Sequence, residues 1–171
     1  MGNLTLTTLA NLAEIIGACS ILTGLAFGFF QIRQYRAQQR DAIAINLSQT
    51  FYNRDLARAI TLMQNVPDGS TLAEIRALGH KYEAAALTVC TSFETMGLLV
   101  FKRIAPLDLV LDLAGGIVSV MYKKLLPWLN DVRAEQDQPS FAEWFEWLGE
   151  KAIELKTDKE PAHIAHKSWA P

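Results

Sequence analysis

Residues 15–32 read IIGACSILTGLAFGFFQI, eighteen residues from Ile15 to Ile32 with no charge among them. As a helix this run is about 27 Å long at 1.5 Å per residue, close to the roughly 30 Å hydrocarbon core of a bilayer. Leu12 and Ala13 extend it, with Glu14 at the interface or neutral. Arg33, Arg36 and Arg40 follow at once, and no Lys or Arg precedes the run. The positive-inside rule then puts the C-terminal side in the cytoplasm and the short N-terminus, residues 1–11, outside. A cleaved signal peptide is the competing reading, and it wants a basic n-region and a small-residue cleavage site. Residues 1–14 carry one negative charge and no positive one. Ile16-Gly17-Ala18-Cys19 has the loose outline of a lipoprotein cleavage site, but the strongest apolar run lies beyond Cys19. The flanks favour an uncleaved transmembrane helix over residues 12–32.

That helix has a face of small residues. Gly17, Ser20, Gly24 and Gly28 recur at spacings of three or four, and Gly24 to Gly28 is a GxxxG pattern. Small residues let membrane helices approach closely, so this stripe is the expected surface for self-association into a homo-oligomer. The competing explanation is that glycine is simply frequent in membrane helices. Arg33, Arg36 and Arg40 are placed to touch anionic lipid headgroups.

Outward from the anchor the pattern is helical throughout. Nothing between Arg33 and Val66 breaks a helix, and Ile45, Tyr52, Leu56, Ala59, Ile60 and Met63 recur at helical spacing, so one juxtamembrane helix is expected over 33–66. Pro67-Asp68-Gly69 stops it. Thr71 and Glu74 form a capping box that opens a second helix, with an apolar stripe from Ile75 through Leu78, Tyr82, Ala86, Val89, Phe93 and Met96 to Val100. It should end near Arg103, ahead of Pro106. Pro106 opens a short helix that Gly115-Gly116 interrupts. A further helix over about 117–135 is kinked or divided by Pro127. Ser140 and Glu143 read as another capping box, followed by an amphipathic face of Phe141, Trp144, Phe145, Leu148, Ala152 and Leu155. The result is an all-α cytoplasmic domain over 71–156 and a loose tail over 157–171. Residues 84–101 are long and apolar enough for a second span, but Glu94 sits near their centre, where a charge costs roughly 2.5–3.5 kcal/mol to insert. A soluble core helix is the preferred reading, with a multi-pass chain as the alternative.

Composition narrows the function classes. The 171 residues are 50% hydrophobic and 20% charged, with a formal net charge of −2, which supports a real core and gives no electrostatic case for nucleic acid. Two cysteines, Cys19 and Cys90, are too few for a disulfide scaffold. Charge is uneven: residues 31–58 hold five Arg and two Asp, net +3, whereas residues 131–160 hold nine acids and four bases, net −5. The acidic last helix, with Trp144 and Trp147, is either a partner surface or a solvated face.

Few residues promise chemistry. Glu94 shares a helical face with Leu87, Cys90, Gly97, Leu98 and Phe101, so its carboxylate should be buried and should find a partner such as Lys123, Lys124 or Arg133. A base or ligand role for it is the less favoured reading. Asp108 and Asp112 are one turn apart but supply too few ligands for a metal, and His163 and His166 lie in the tail without further ligands. His80 is isolated. No nucleophile motif, P-loop, GxGxxG or CxxC occurs. No cofactor, metal or catalytic residue is expected, and the chain does not read as an enzyme.

Phe93-Glu94-Thr95-Met96-Gly97-Leu98-Leu99-Val100 and Ile104-Ala105-Pro106-Leu107-Asp108-Leu109-Val110, with Gly115-Gly116, Leu126-Pro127-Trp128 and Ser140-Phe141-Ala142-Glu143-Trp144-Phe145, resemble a family of bacterial proteins built on a domain of unknown function. The likeness covers most of the chain and is best over 82–156. It implies one N-terminal membrane helix, a helical cytoplasmic region and the bacterial inner membrane, and it supplies no activity. The expected protein is a membrane-anchored helical interaction or regulatory module with an unidentified protein partner. A small oligomeric channel, lined by Glu14, Ser20 and Thr23, is the alternative.

Overall fold

The computed structural model describes residues 6–51, 53–156 and 159–170. All the elements among them are helices: α1 (Leu6–Phe51), α2 (Arg54–Gln64), α3 (Leu72–Ala77), α4 (His80–Phe101), α5 (Leu107–Gln136), α6 (Glu143–Lys156) and α7 (Ala162–Ala165). The chain divides into two compact units, Met1–Ala42 and Ile43–Pro171.

The described residues of the first unit belong to α1. Its large apolar side chains Ile15, Ile16, Ile21, Leu22, Leu25, Phe27, Phe29, Phe30 and Ile32 are each about 60% exposed or more. Burying one such side chain stabilises by about 1.5–3 kcal/mol, so nine left in water forgo more than about 10 kcal/mol. That equals the whole stability of an ordinary domain, about 5–15 kcal/mol. Two helices are long and apolar enough to cross a membrane, residues 9–35 and His80–Phe101.

The second unit is a helical bundle. The juxtamembrane helix expected over 33–66 is two helices: α1 ends at Phe51, and Asn53 caps α2 by accepting the Asp55 N–H at 2.8 Å. An Asn two residues ahead of an Asp is the local signal for that break. Tyr52 lies outside the described residues. Leu56, Ala59 and Met63 are buried as the spacing predicts. Thr71 and Glu74 form the expected capping box. The helix it opens is short, however: α3 stops at Ala77, and Gly79 turns at φ +106° before α4 begins. That conformation is open to glycine and costly for other residues. Leu78 is consequently exposed, while Ala86, Val89, Phe93, Met96 and Val100 are buried along α4.

α5 overrides two breaks expected from sequence. It runs unbroken through Gly115-Gly116 and through Pro127. A glycine in a helix costs about 1 kcal/mol and a proline about 3. Burial along the helix offsets both, since Val110, Leu111, Val118, Met121, Leu125, Trp128, Leu129 and Val132 all lie in the core. Trp128 meets Phe141 edge-on at 6.3 Å and lines a cavity of about 710 Å³ beside α3 and α4. Its buried indole N–H has no hydrogen-bond partner among the described residues.

α6 packs against both α4 and α5, and two glycines admit it. A Cβ at Gly97 would lie 2.1 Å from the Trp144 carbonyl oxygen, and one at Gly149 would lie 2.4 Å from the Tyr122 ring. Phe145, Leu148 and Ala152 fill the space so opened, with Phe145 stacked on Phe93 at 5.6 Å. Leu155, expected on the same face, is exposed. Residues 159–170, in the tail expected to be loose, include the single turn α7. Gly97→Ala should lower unfolding free energy by about 1–3 kcal/mol through overpacking against backbone. Gly116→Ala, where a Cβ meets open space, should be neutral or stabilise by up to about 1 kcal/mol. Urea unfolding of the two variants checks both.

Candidate functional site

Glu94 lies past the middle of α4, one turn before Gly97. It does not pair with Lys123, Lys124 or Arg133. Its Oε2 accepts the backbone N–H of Phe145 at 2.7 Å, and the neighbouring Trp144 amide also favours the charged carboxylate. These amides belong to the first turn of α6, where four N–H groups lack partners inside the helix and the dipole favours negative charge. The capping box expected from Ser140 and Glu143 is absent. Ala142, at φ +54°, precedes α6 instead, and the Ser140 carbonyl accepts the Glu143 N–H. The bend leaves α6 without a side-chain cap from its own strand of sequence, and Glu94 supplies one from across the bundle.

The three cations expected as partners are engaged elsewhere or exposed. The Lys124 Nζ is buried, donates to the Val66 carbonyl and meets Asp68 at 2.5 Å, which ties α5 to the turn after α2. Lys123 is exposed. Arg133 donates from Nε to the Phe141 carbonyl at 2.8 Å and from Nη1 to Glu146 at 2.6 Å. Tyr122 Oη donates weakly to the same Glu146 carboxylate at 3.4 Å. Glu94, Arg133, Glu146 and Tyr122 thus converge on the start of α6, with Cys90 buried one turn before Glu94. Glu94 was legible as a carboxylate in need of a partner. Arg133, Tyr122 and Glu146 carried no local signal, because they meet only through tertiary packing.

Electrostatics here reflect burial. Desolvation pushes the Glu94 carboxyl above its ordinary value, and the Phe145 and Trp144 amides and the Arg133 charge pull the other way. Burial likewise raises the Cys90 thiol and pushes the Tyr122 phenol up to about 12, the latter helped by Glu146 and Glu150. A raised thiol is a poor nucleophile. The chemistry this arrangement performs is to hold a helix end.

The remaining candidates lie apart. Asp108 and Asp112 are exposed along α5, and His80, His163 and His166 are exposed. No group of three or more metal-ligating side chains occurs among the described residues. In the apolar segment, Ser20 donates to the Ile16 carbonyl and Thr23 to the Cys19 carbonyl, each at 2.8 Å. Cβ atoms placed at Gly17, Gly24 and Gly28 meet open space. Arg33 is exposed, and the side chains of Arg36 and Arg40 lie outside the described ones.

The family model of a domain of unknown function, DUF4760, matches residues 18–152. The chain belongs to the DUF4760 family. The match takes in most of the apolar helix together with the bundle up to Ala152, so the family's sequence pattern spans both units. No curated protein and no solved structure matches significantly.

Glu94→Ala should cost the DUF4760 chain about 1–2 kcal/mol through loss of the cap. Glu94→Gln keeps an acceptor and should cost less. A raised native pKa means the folded chain binds this proton more tightly than the unfolded one. Its contribution is therefore full below the ordinary carboxyl pKa and is lost as pH rises through the native value. Stability of the Gln variant, followed by urea unfolding from pH 4.5 upward, should lack that decline.

Proposed function

We propose that this DUF4760 protein is an anchored helical interaction module of the bacterial inner membrane. Residues 12–32 span the bilayer with the N-terminus outside, and the bundle lies in the cytoplasm, where it binds another protein or regulates an assembly. The observation that carries this reading is the apolar helix over residues 9–35, whose large side chains from Ile15 to Ile32 are exposed. At 27 residues it is about 40 Å long, enough to cross a hydrocarbon core of about 30 Å with some tilt. Intrahelical bonding of the Ser20 and Thr23 hydroxyls suits a segment without water, because it satisfies both donors internally. The same bonding gives little support to a channel lining. Arg33, Arg36 and Arg40 hold the inner boundary against lipid headgroups. Gly17, Ser20, Gly24 and Gly28 form the face on which copies self-associate, and open space above the glycines leaves that face accessible to a second helix. The convergent polar groups of the bundle are taken up in capping α6, so the reading is of a non-enzymatic module.

Alkaline carbonate extraction of membranes from expressing cells tests the anchor. The chain is expected in the pellet with its leading residues intact, and recovery in the supernatant would overturn the reading. Gly24→Leu with Gly28→Leu should reduce signal in a membrane self-association reporter several-fold, and an unchanged signal would remove the glycine face.

A further inference from the structure

The turn between α4 and α5 reads Phe101-Lys102-Arg103-Ile104, and all four residues are exposed. Phe101 is 50% exposed and Ile104 53%, although each neighbours a buried residue, Val100 and Ala105. Arg103 takes φ +56°, a left-handed conformation that lets the chain reverse here. Lys102 and Arg103 both donate amides to α4 carbonyls, from Leu98 and Val100, and the Ile104 and Ala105 amides close onto Leu99. The turn is therefore a fixed structure that presents two large apolar side chains and two cations together. Behind it stands an aromatic cluster: Phe101 lies 4.3 Å from Trp144 and 6.0 Å from Trp147, both half-buried, and Leu98 is also exposed.

We infer that this tip is a lipid-contact site, which inserts Phe101 and Ile104 among anionic headgroups while Lys102 and Arg103 bind phosphate. Three physical points select a bilayer as the occupant. Aromatic rings and flanking Lys or Arg are the side chains that favour the membrane–water interface, because one end is apolar and the other wet. Two adjacent cations complement an anionic surface, and basic residues near such a surface are attracted individually. A chain held at a bilayer by residues 9–35 also meets that surface at high effective concentration, so a small patch suffices. This last point rests on the anchored reading given above. The acids of α6 work against the site, since Glu143 and Glu150 are exposed near the tryptophans. Contact therefore centres on the turn itself.

The test uses the full chain with Trp169→Phe, in nanodiscs whose lipids are brominated near the headgroup. Emission then comes from Trp128, buried in the bundle, and from Trp144 and Trp147 beside the tip. Discs with a quarter phosphatidylglycerol should quench emission at least twofold more than pure phosphatidylcholine discs. Phe101→Ser with Ile104→Ser, and separately Lys102→Gln with Arg103→Gln, should each abolish the difference. Phe101 also touches Trp144, so each variant's quenching is referred to its own emission in pure phosphatidylcholine discs, and the Lys102→Gln with Arg103→Gln pair leaves that aromatic contact intact. Quenching that ignores lipid charge and both double variants would overturn the site, as would its absence in anionic discs from which carbonate does not extract the chain. A chain that carbonate does extract would defeat the anchor by itself. Co-flotation of that soluble chain with the same anionic vesicles would then decide the tip, being expected for the parent chain and lost in both double variants. Failure of the parent chain to float would overturn the site.

Discussion

The first turn of α6 has three constraints to satisfy at once. It starts from a left-handed residue, Ala142, it lies within van der Waals distance of α4 at Gly97, and the amide of its buried Phe145 faces Glu94 of α4. An unpaired buried amide costs about 1–3 kcal/mol, so a helix end in this position requires an acceptor. The Glu94 carboxylate, one turn from Gly97 on α4, provides it at 2.7 Å. The two residues act together: the glycine lets the backbones approach, and the approach brings the carboxylate within reach. Phe145, whose amide is bonded, is also the ring stacked on Phe93, so the polar contact fixes the register of the apolar one.

The same device recurs elsewhere in the bundle. Asp131 of α5 accepts the Leu72 amide at the start of α3 at 3.0 Å, and Glu135, one turn further, holds Arg76 at 2.7 and 2.8 Å. Lys124, lower on α5, bonds the carbonyl that follows α2. The side chains of α5 thus reach three separate helix ends, counting the Arg133 bond that fixes the bend before α6. This bonding is consistent with α5 remaining a single helix through two glycines and a proline, because a break would misplace every one of these contacts.

Signals that act over one turn were legible in the sequence. The Thr71–Glu74 box, the stop at Pro67-Asp68-Gly69 and the stripe from Ala86 to Val100 depend on neighbours in the chain, and each is present as read. The misread points are those where distant residues decide. Gly115-Gly116 and Pro127 are breakers by propensity, yet burial on α5 outweighs them. Ser140 and Glu143 have the spacing of a capping box, but the left-handed turn at Ala142 removes the geometry and Glu94 replaces it. Gly79 and Asn53 were legible in principle, since a glycine in a helical pattern and an Asn before an Asp are boundary signals. The apolar periodicity continues across both and masks them.

The two apolar helices show how little length and composition decide alone. Residues 9–35 and α4 pass the same test for crossing a membrane. They differ in where their side chains go. In α4, Ala85, Ala86, Val89, Cys90, Phe93, Met96 and Val100 are buried against other helices, and the one carboxylate near the centre is spent on a helix end. Leu87, Leu98 and Phe101 of the same helix are exposed, so α4 is buried along one face only. In residues 9–35 every described large side chain from Ile15 to Ile32 is exposed, and the hydroxyls bond inward. Internally bonded polar groups and outward-facing apolar side chains are what a bilayer requires of a span. The energetic gap between these situations exceeds about 10 kcal/mol, larger than any single contact in the bundle. The exposed apolar helix, rather than any polar cluster, is therefore the feature on which the proposed membrane location rests.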